Sequence, residues 1–216
     1  MHTYIWWNPG EPIPSLAHTS EEGILALSDF MDINQLREAY KHGVFPWYGE
    51  NEPVIWWCPD PRFVLFPDEL KVSKSMLQLF RKHSFEVTYN KNFEYILYKC
   101  SHTPRKGQEG TWLIPELMDA LLQLHNEGLA HSCEVWSEGR IIGGLYGIMM
   151  GEIFFGESMF YDIPNASKYG FISMVNKLKE EGVKLIDCQV HTPHLESLGA
   201  KFISREVFLS LVKAYS

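Results

Sequence analysis

The run HSCEVWSEGRIIGGLYGIMMGEIFFGESMF, residues 131–160, decides the fold. Three segments rich in β-branched and aromatic residues, His131–Ser137, Arg140–Met150 and Glu152–Ser158, are separated by Gly-containing turns, the pattern of successive strands. Downstream, Ser167–Glu181 carries helical spacing, Val183–Val190 (VKLIDCQV) reads as a further strand, and Arg205–Ala214 as a closing helix. Strands followed by a helix and another strand predict a mixed α/β (α+β) sheet over roughly residues 110–216. Upstream, Pro115–Asn126 opens on proline and ends near Gly128, the start and stop chemistry of a helix. From Lys71, Val72, Met76, Leu79 and Phe80 recur at helical spacing while Lys74, Gln78, Arg81 and Lys82 take the other side, an amphipathic helix with a basic face over 71–83. The first third is dense in Pro and Trp, which favours short strands and turns, with one helix at Ile33–His42 stopped by Gly43. The expected division is a small lobe at 1–70 and a larger domain at 71–216.

The 216 residues are 45% hydrophobic and 14% aromatic, enough to bury a core and to exclude disorder. No stretch approaches 18 apolar residues and the start has no signal-peptide pattern, so the reading is a cytoplasmic protein away from membranes. Cys58, Cys100, Cys133 and Cys188 form no CxxC pair and read as reduced thiols. His191 and His194 flank Pro193, which works against the helical spacing that would bring both to one ion, so no metal is expected. Nineteen Lys and Arg against 27 Asp and Glu give a net charge of -8, on its face unlike a protein that grips phosphates. Position changes that picture: Lys71–Lys106 holds eight basic residues against Glu86 and Glu94, a local +6.

Three constellations can carry chemistry. Along an uninterrupted VKLIDCQV strand, alternation puts Leu185, Asp187 and Gln189 on one face and Ile186, Cys188 and Val190 on the other. A carboxylate and an amide on an apolar strand must line a cleft or join a satisfied buried network. Cys188 fits a small buried hydrophobe better than a nucleophile. Glu157, at a strand end near a helix start, suits a cationic ligand, although it could simply be solvated while Ser167 caps the helix. Trp47, Trp56, Trp57 and Trp112 are core material or base-stacking platforms.

Phe45-Pro46-Trp47, Trp56-Trp57, Pro59-Asp60-Pro61-Arg62, Gly110-Thr111-Trp112, His131-Ser132, Glu134-Val135-Trp136, Gly143-Gly144, Tyr146-Gly147, Gly156–Phe160, Asn165–Lys168, Leu185–Gln189 and Ser197–Ala200 follow in order. Together they resemble the bacterial leucyl/phenylalanyl-tRNA-protein transferases over about residues 25–208. That resemblance implies an acetyltransferase-like (GNAT-like) C-terminal domain with a small N-terminal one, and no cofactor or metal. It implies transfer of Leu or Phe, less often Met, from charged tRNA to proteins beginning with Arg or Lys, which marks them for degradation. Asp187 and Gln189 would be catalytic, with Asp187 taking a proton or hydrogen bond from the amine directly or through Gln189. Substrate contacts would come from Trp47, Trp112, Glu157 and Ser158. The apolar pocket would be Leu145, Phe155, Met174 and Ile186, although alternation sets Ile186 opposite Asp187. Lys74, Arg81, Lys82, Arg105 and Lys106 would hold tRNA, and the chain would act as a monomer. Two departures matter: Leu77 and Gln78 stand where relatives carry positive charge, so Lys99, Arg105 and Lys106 would share the grip, and Met174 stands where an aromatic is common.

Two other readings compete. An acetyl-CoA-dependent N-acetyltransferase would suit the same element order, but no Gly-rich (Arg/Gln)-x-x-Gly-x-(Gly/Ala) turn precedes Ser167 to hold a pyrophosphate. A non-catalytic RNA-binding module explains the +6 segment but not Asp187, Gln189 and Glu157.

Overall fold

The computed structural model describes residues 4–103 and 113–216. In chain order its elements are β1 (Ile5–Trp6), β2 (Ile24–Ser28), α1 (Ile33–Lys41), β3 (Phe45–Pro46), β4 (Val54–Trp57), β5 (Arg62–Leu65), α2 (Lys74–Arg81), β6 (Glu86–Tyr89) and α3 (Phe93–His102). There follow α4 (Pro115–Asn126), β7 (Ala130–Ser137), β8 (Arg140–Met150), β9 (Ile153–Tyr161), α5 (Ala166–Glu180), β10 (Leu185–Asp187), α6 (Pro193–Ser197), β11 (Lys201–Ile203) and α7 (Arg205–Tyr215). A four-stranded sheet runs β1-β2-β4-β3, and a seven-stranded mixed sheet runs β11-β5-β10-β9-β8-β7-β6. The mixed α/β class expected from the sequence is the class observed.

Local chemistry explains most boundaries. Asp32, Ser73 and Ser204 cap α1, α2 and α7 by accepting from the amides of Gln35, Met76 and Val207. The Ser73 cap starts the basic helix at Lys74, three residues later than the periodicity suggests. Asn165, at φ 72°, and not Ser167, stands before α5; Ser167 lies inside the helix. Pro193 occupies the first turn of α6, where its missing amide costs nothing, so His191 falls outside that helix and His194 within it.

Five elements depart from the sequence reading. β9 continues to Tyr161, beyond Ser158. β10 stops at Asp187 and does not reach Val190, because Gln189 takes φ 56° and leaves extended geometry. β5, within the segment assigned to the small lobe, is a strand of the large sheet between β11 and β10. β6 and α3 arise inside the segment read only as basic.

Apolar side chains pack on both faces of the large sheet. One face carries Leu36, Tyr40, Ile96, Leu121, Phe155 and Phe208 from α1, α3, α4, β9 and α7. The other carries Met76, Leu145, Phe154, Ile172, Met174 and Ile186, with α5 as its main cover and Phe80 of α2 stacked on Tyr169 at 3.9 Å. All four cysteines are buried, and none forms a disulfide. Among the described residues, no helix is long and apolar enough to cross a membrane.

Candidate active site

Among the described residues, only β9 and β10 run parallel in the large sheet, and they stay paired for three residues, Ile153–Phe155 against Leu185–Asp187. Beyond Phe155 and Asp187 they part. Crevices at the carboxyl ends of parallel strands are where open sheets bind ligands. Here the opening is a chamber of about 500 Å³ whose walls include Leu145, Phe171 and Leu195 on one side and Phe45 and Phe160 on the other. Trp47, 44% exposed, stands on its wall, with its carbonyl accepting from the Trp57 indole at 2.8 Å.

A bulge aims the acid. Tyr146 pairs with Ser158 and Gly147 with Gly156, so Glu157 is the extra residue of β9. Gly147 is required opposite it, since a Cβ there would lie 2.3 Å from the Phe155 carbonyl. Glu157 lines the chamber, receives a hydrogen bond from the Gln189 amide (Nε2 to Oε1, 2.8 Å) and is bonded by the buried Tyr40 hydroxyl. Burial, reinforced by the nearby Asp187 charge, pushes its carboxyl up to about 8, against the opposing pull of the Tyr40 and Gln189 bonds and of Arg62. Burial thus favours the protonated form of Glu157, and a positive charge placed beside it would favour the ionised form.

Behind this pair lies a second one. Arg62 and Asp187 are both fully buried, joined by Nε to Oδ1 at 2.8 Å and Nη2 to Oδ2 at 2.5 Å. The guanidinium is held between the rings of Phe45 and Phe208, 4.6 and 4.5 Å from their centroids. Asp187 Oδ1 also accepts the backbone amide of Gln189 at 3.0 Å. That bond stabilises the left-handed turn that points Gln189 at Glu157. Gly156 leaves the space open, with only the Asp187 carbonyl, at 3.5 Å, near a Cβ placed there.

The geometry corrects the site drawn from sequence in three respects. Asp187 and Gln189 do not act from one strand face, because the strand ends between them; Asp187 is sealed behind the chamber, while Cys188 lines it alongside Gln189. Burial pushes the Cys188 thiol well up, so it is no nucleophile. Phe155 is turned away from Leu145, Met174 and Ile186 and packs on Tyr40; Phe154 joins them instead. Leu145 and Ser158 line the chamber, whereas Met174 and Ile186 back its wall from the core. Lys99 is not a free cation, being paired with Asp162 at 2.9 Å. Lys74, Arg81 and Lys82 are exposed on α2 and its end. Trp112, Arg105 and Lys106 lie outside the described residues.

Sequence reasoning missed Arg62, Tyr40, Phe171 and His194. Arg62 had a signal, a cation opening the apolar run Arg62-Phe63-Val64-Leu65, which demands a buried partner. His194 lines the chamber, its Nε2 buried and without a partner among the described residues, and burial lowers its pKa.

Fold and site define a mixed α/β protein with an apolar chamber ending on a carboxylate–amide pair, a class suited to holding an apolar group beside an ionisable one. Residues 64–213 match the family model described as leucyl/phenylalanyl-tRNA protein transferase, and residues 31–60 match that of its N-terminal domain. The leucyl/phenylalanyl-tRNA--protein transferase of Christiangramia forsetii is 50% identical over 207 residues, 95% of this chain and 98% of that one. Those of Flavobacterium johnsoniae (50%, covering 93% of this chain and 95% of that one) and Pseudomonas fluorescens Pf0-1 (51%, covering 86% and 82%) are as similar. The chain belongs to the leucyl/phenylalanyl-tRNA protein transferase family. A solved GCN5-related N-acetyltransferase-like protein from Streptococcus suis reaches a TM-score of 0.39 at 13% identity, over 79% of this chain and 64% of that one, a likeness too weak to carry an argument.

Proposed function

We propose that this enzyme moves leucine or phenylalanine, and less often methionine, from charged tRNA to the N-terminal Arg or Lys of cytoplasmic proteins, marking them for degradation, and does so as a monomer. The observation that carries the reading is an apolar chamber with Trp47 on its wall and Glu157 with Gln189 at its inner end. The aminoacyl ester arrives activated, so the task is positioning. The neutral α-amine attacks the ester carbonyl, a C–N bond forms, the C–O bond to the ribose breaks, and the proton lost by nitrogen ends on the departing ribose hydroxyl. Gln189 accepts a hydrogen bond from the amine through its side-chain oxygen while its amide stays on Glu157. Asp187 is a positioning residue that holds Gln189 by its backbone. Glu157 takes the positive charge of the acceptor. No cofactor enters the reaction.

Transfer of labelled leucine from leucyl-tRNA to an Arg-starting peptide tests the reading. Gln189→Ala is expected to lower kcat by about 10²-fold or more with the KM for charged tRNA little changed; wild-type turnover in that variant would refute its role.

Lys74, Arg81 and Lys82 support a tRNA grip on α2. Replacing all three by alanine is expected to weaken tRNA binding and to flatten the log–log salt dependence by about 0.7 to 0.9 for each phosphate no longer neutralised, read from binding isotherms between low and moderate salt. An unchanged slope would move the tRNA elsewhere.

A further inference from the structure

We infer that the acceptor polypeptide binds by adding an extended strand to the open edge of β9, so that its backbone beyond the first residue is recognised as a ladder. This rests on the transfer reading above and specifies how the second substrate is held.

The inference comes from the ladder between β8 and β9. Asp162 donates its amide to the Ile142 carbonyl at 2.8 Å, so the backbone groups of residue 162 face β8. Gly144 lies opposite Phe160 and Tyr146 opposite Ser158 in the same register. In an antiparallel pair, bonded and non-bonded positions alternate, so Phe160 and Ser158 also face β8. The N–H and C=O groups of Met159 and Tyr161 therefore point the other way. On that side β10 has already departed, and both residues line the chamber. Among the described residues, nothing hydrogen-bonds to those two amides and two carbonyls.

The opposite wall does not offer the same template. Cys188 donates its amide to Phe63, and Val190 donates to Cys188, so the continuation of β10 is already engaged. The free edge is one-sided and begins at the bulged Glu157. From Glu157 to Tyr161 it spans about 13 Å at roughly 3.3 Å per residue, the reach of a four-residue extended segment.

A polypeptide fits this edge and a nucleic-acid strand does not. The edge alternates donors and acceptors, which a peptide backbone matches group for group. A sugar–phosphate chain offers mainly acceptors and negative charge, and no described residue lining the chamber is Lys or Arg. With the acceptor's cationic first residue at Glu157, the chain runs outward beside Met159 and Tyr161, parallel to β9. Side chains after the first contribute little, since the contacts are to main chain.

A series of Arg-starting peptides, each N-methylated at one of residues 2 to 5, tests this in the leucine transfer assay. N-methylation removes one donor and leaves the side chains unchanged. Loss is expected to alternate: methylation at every second position raises KM about fivefold or more, and the positions between change it less than about twofold, because only alternate guest amides face the edge. A uniform response, or one that fades with distance without alternation, overturns the inference while the unmodified peptide still validates transfer. No transfer to the unmodified peptide overturns the functional reading and this inference together. On the enzyme side, Met159→Pro removes an amide that takes no part in the β8 ladder, a strand position where proline is tolerated. Because Met159 also lines the chamber, the variant is expected to raise KM for the peptide at least about fivefold more than KM for charged tRNA. A rise for tRNA alone would place the tRNA end on this edge and overturn the inference. If that variant fails to fold, the methylated peptides still decide.

Discussion

Asp187→Ala is expected to lower the free energy of unfolding by about 3–5 kcal/mol, the largest stability effect foreseen for a single site residue. The cause is the charge left behind. Arg62 is completely enclosed, stacked between Phe45 and Phe208, and Asp187 supplies both oxygens that bond its edge. Removing the carboxylate strands a guanidinium with no water to replace it. Arg62→Ala is expected to cost a similar amount for the mirror reason. The double change Arg62→Met with Asp187→Leu should lose much less than the two single changes combined, since neither charge then remains. Urea unfolding of the four proteins measures this, and simple additivity would contradict a coupled pair. Activity separates the two roles of Asp187. In the double variant the stability largely returns but the bond to the Gln189 amide does not, so transfer stays impaired. Recovery of both would mean that Asp187 serves only the fold.

The second large effect concerns pH and Glu157. Its carboxyl, pushed up to about 8, is protonated in the folded protein where an unfolded glutamate is ionised. Across the window from the ordinary carboxyl range to about 8, the folded state binds the extra proton. Unfolding stability therefore falls as pH rises through that window and levels off above about 8. Glu157→Gln removes the titration, so its stability relative to wild type should improve from pH 5 to about pH 8 and level off above it. Unfolding midpoints at pH 5, 7 and 9 check the sign; a wild-type advantage that grows with pH would refute it. Catalysis should show the opposite slope. A cationic acceptor binds best to the ionised carboxylate, so KM for an Arg-starting peptide is expected to fall as pH passes about 8. Glu157→Gln should lose that dependence and raise KM about 10- to 100-fold, the range for a hydrogen bond to a charged group. A pH-independent KM in wild type would show that Glu157 does not meet the acceptor's charge.

Legibility in the sequence followed local physics. The helices at 33–41 and 205–215 carry their caps and periodicities in the chain itself, the helix at 115–126 its opening proline and periodicity, and the strands at 130–137 and 140–150 were readable from composition and turns. Asp187 and Gln189 were identifiable as polar residues on an apolar strand, which must find partners or line a cleft, and Glu157 only as an acid at a strand end suited to a cation or to solvent. What was not legible is the contact between Glu157 and Gln189. Strand alternation paired Gln189 with Asp187, whereas the left-handed turn at Gln189 hands it to Glu157. Phe155 and Phe154 were interchangeable by composition, and only the register of β9 separates the face that meets Tyr40 from the face that meets Met174.

The amino-acid sequence by itself determined the family, the mixed α/β class, the segregation of positive charge into 71–106 and the candidate residue types at the site. Those are properties of neighbours along the chain, where a side chain's period, cap or charge acts over one or two turns. Tertiary structure alone decided that Arg62 lies against Asp187, 125 residues away, that a bulge aims Glu157 into the chamber, and that, among the described residues, β9 keeps an unpaired edge where β10 leaves it. The physical reason is that burial and hydrogen-bond completion are set by what the fold brings alongside. No local pattern states which buried charge will meet which, or where a strand will lose its partner.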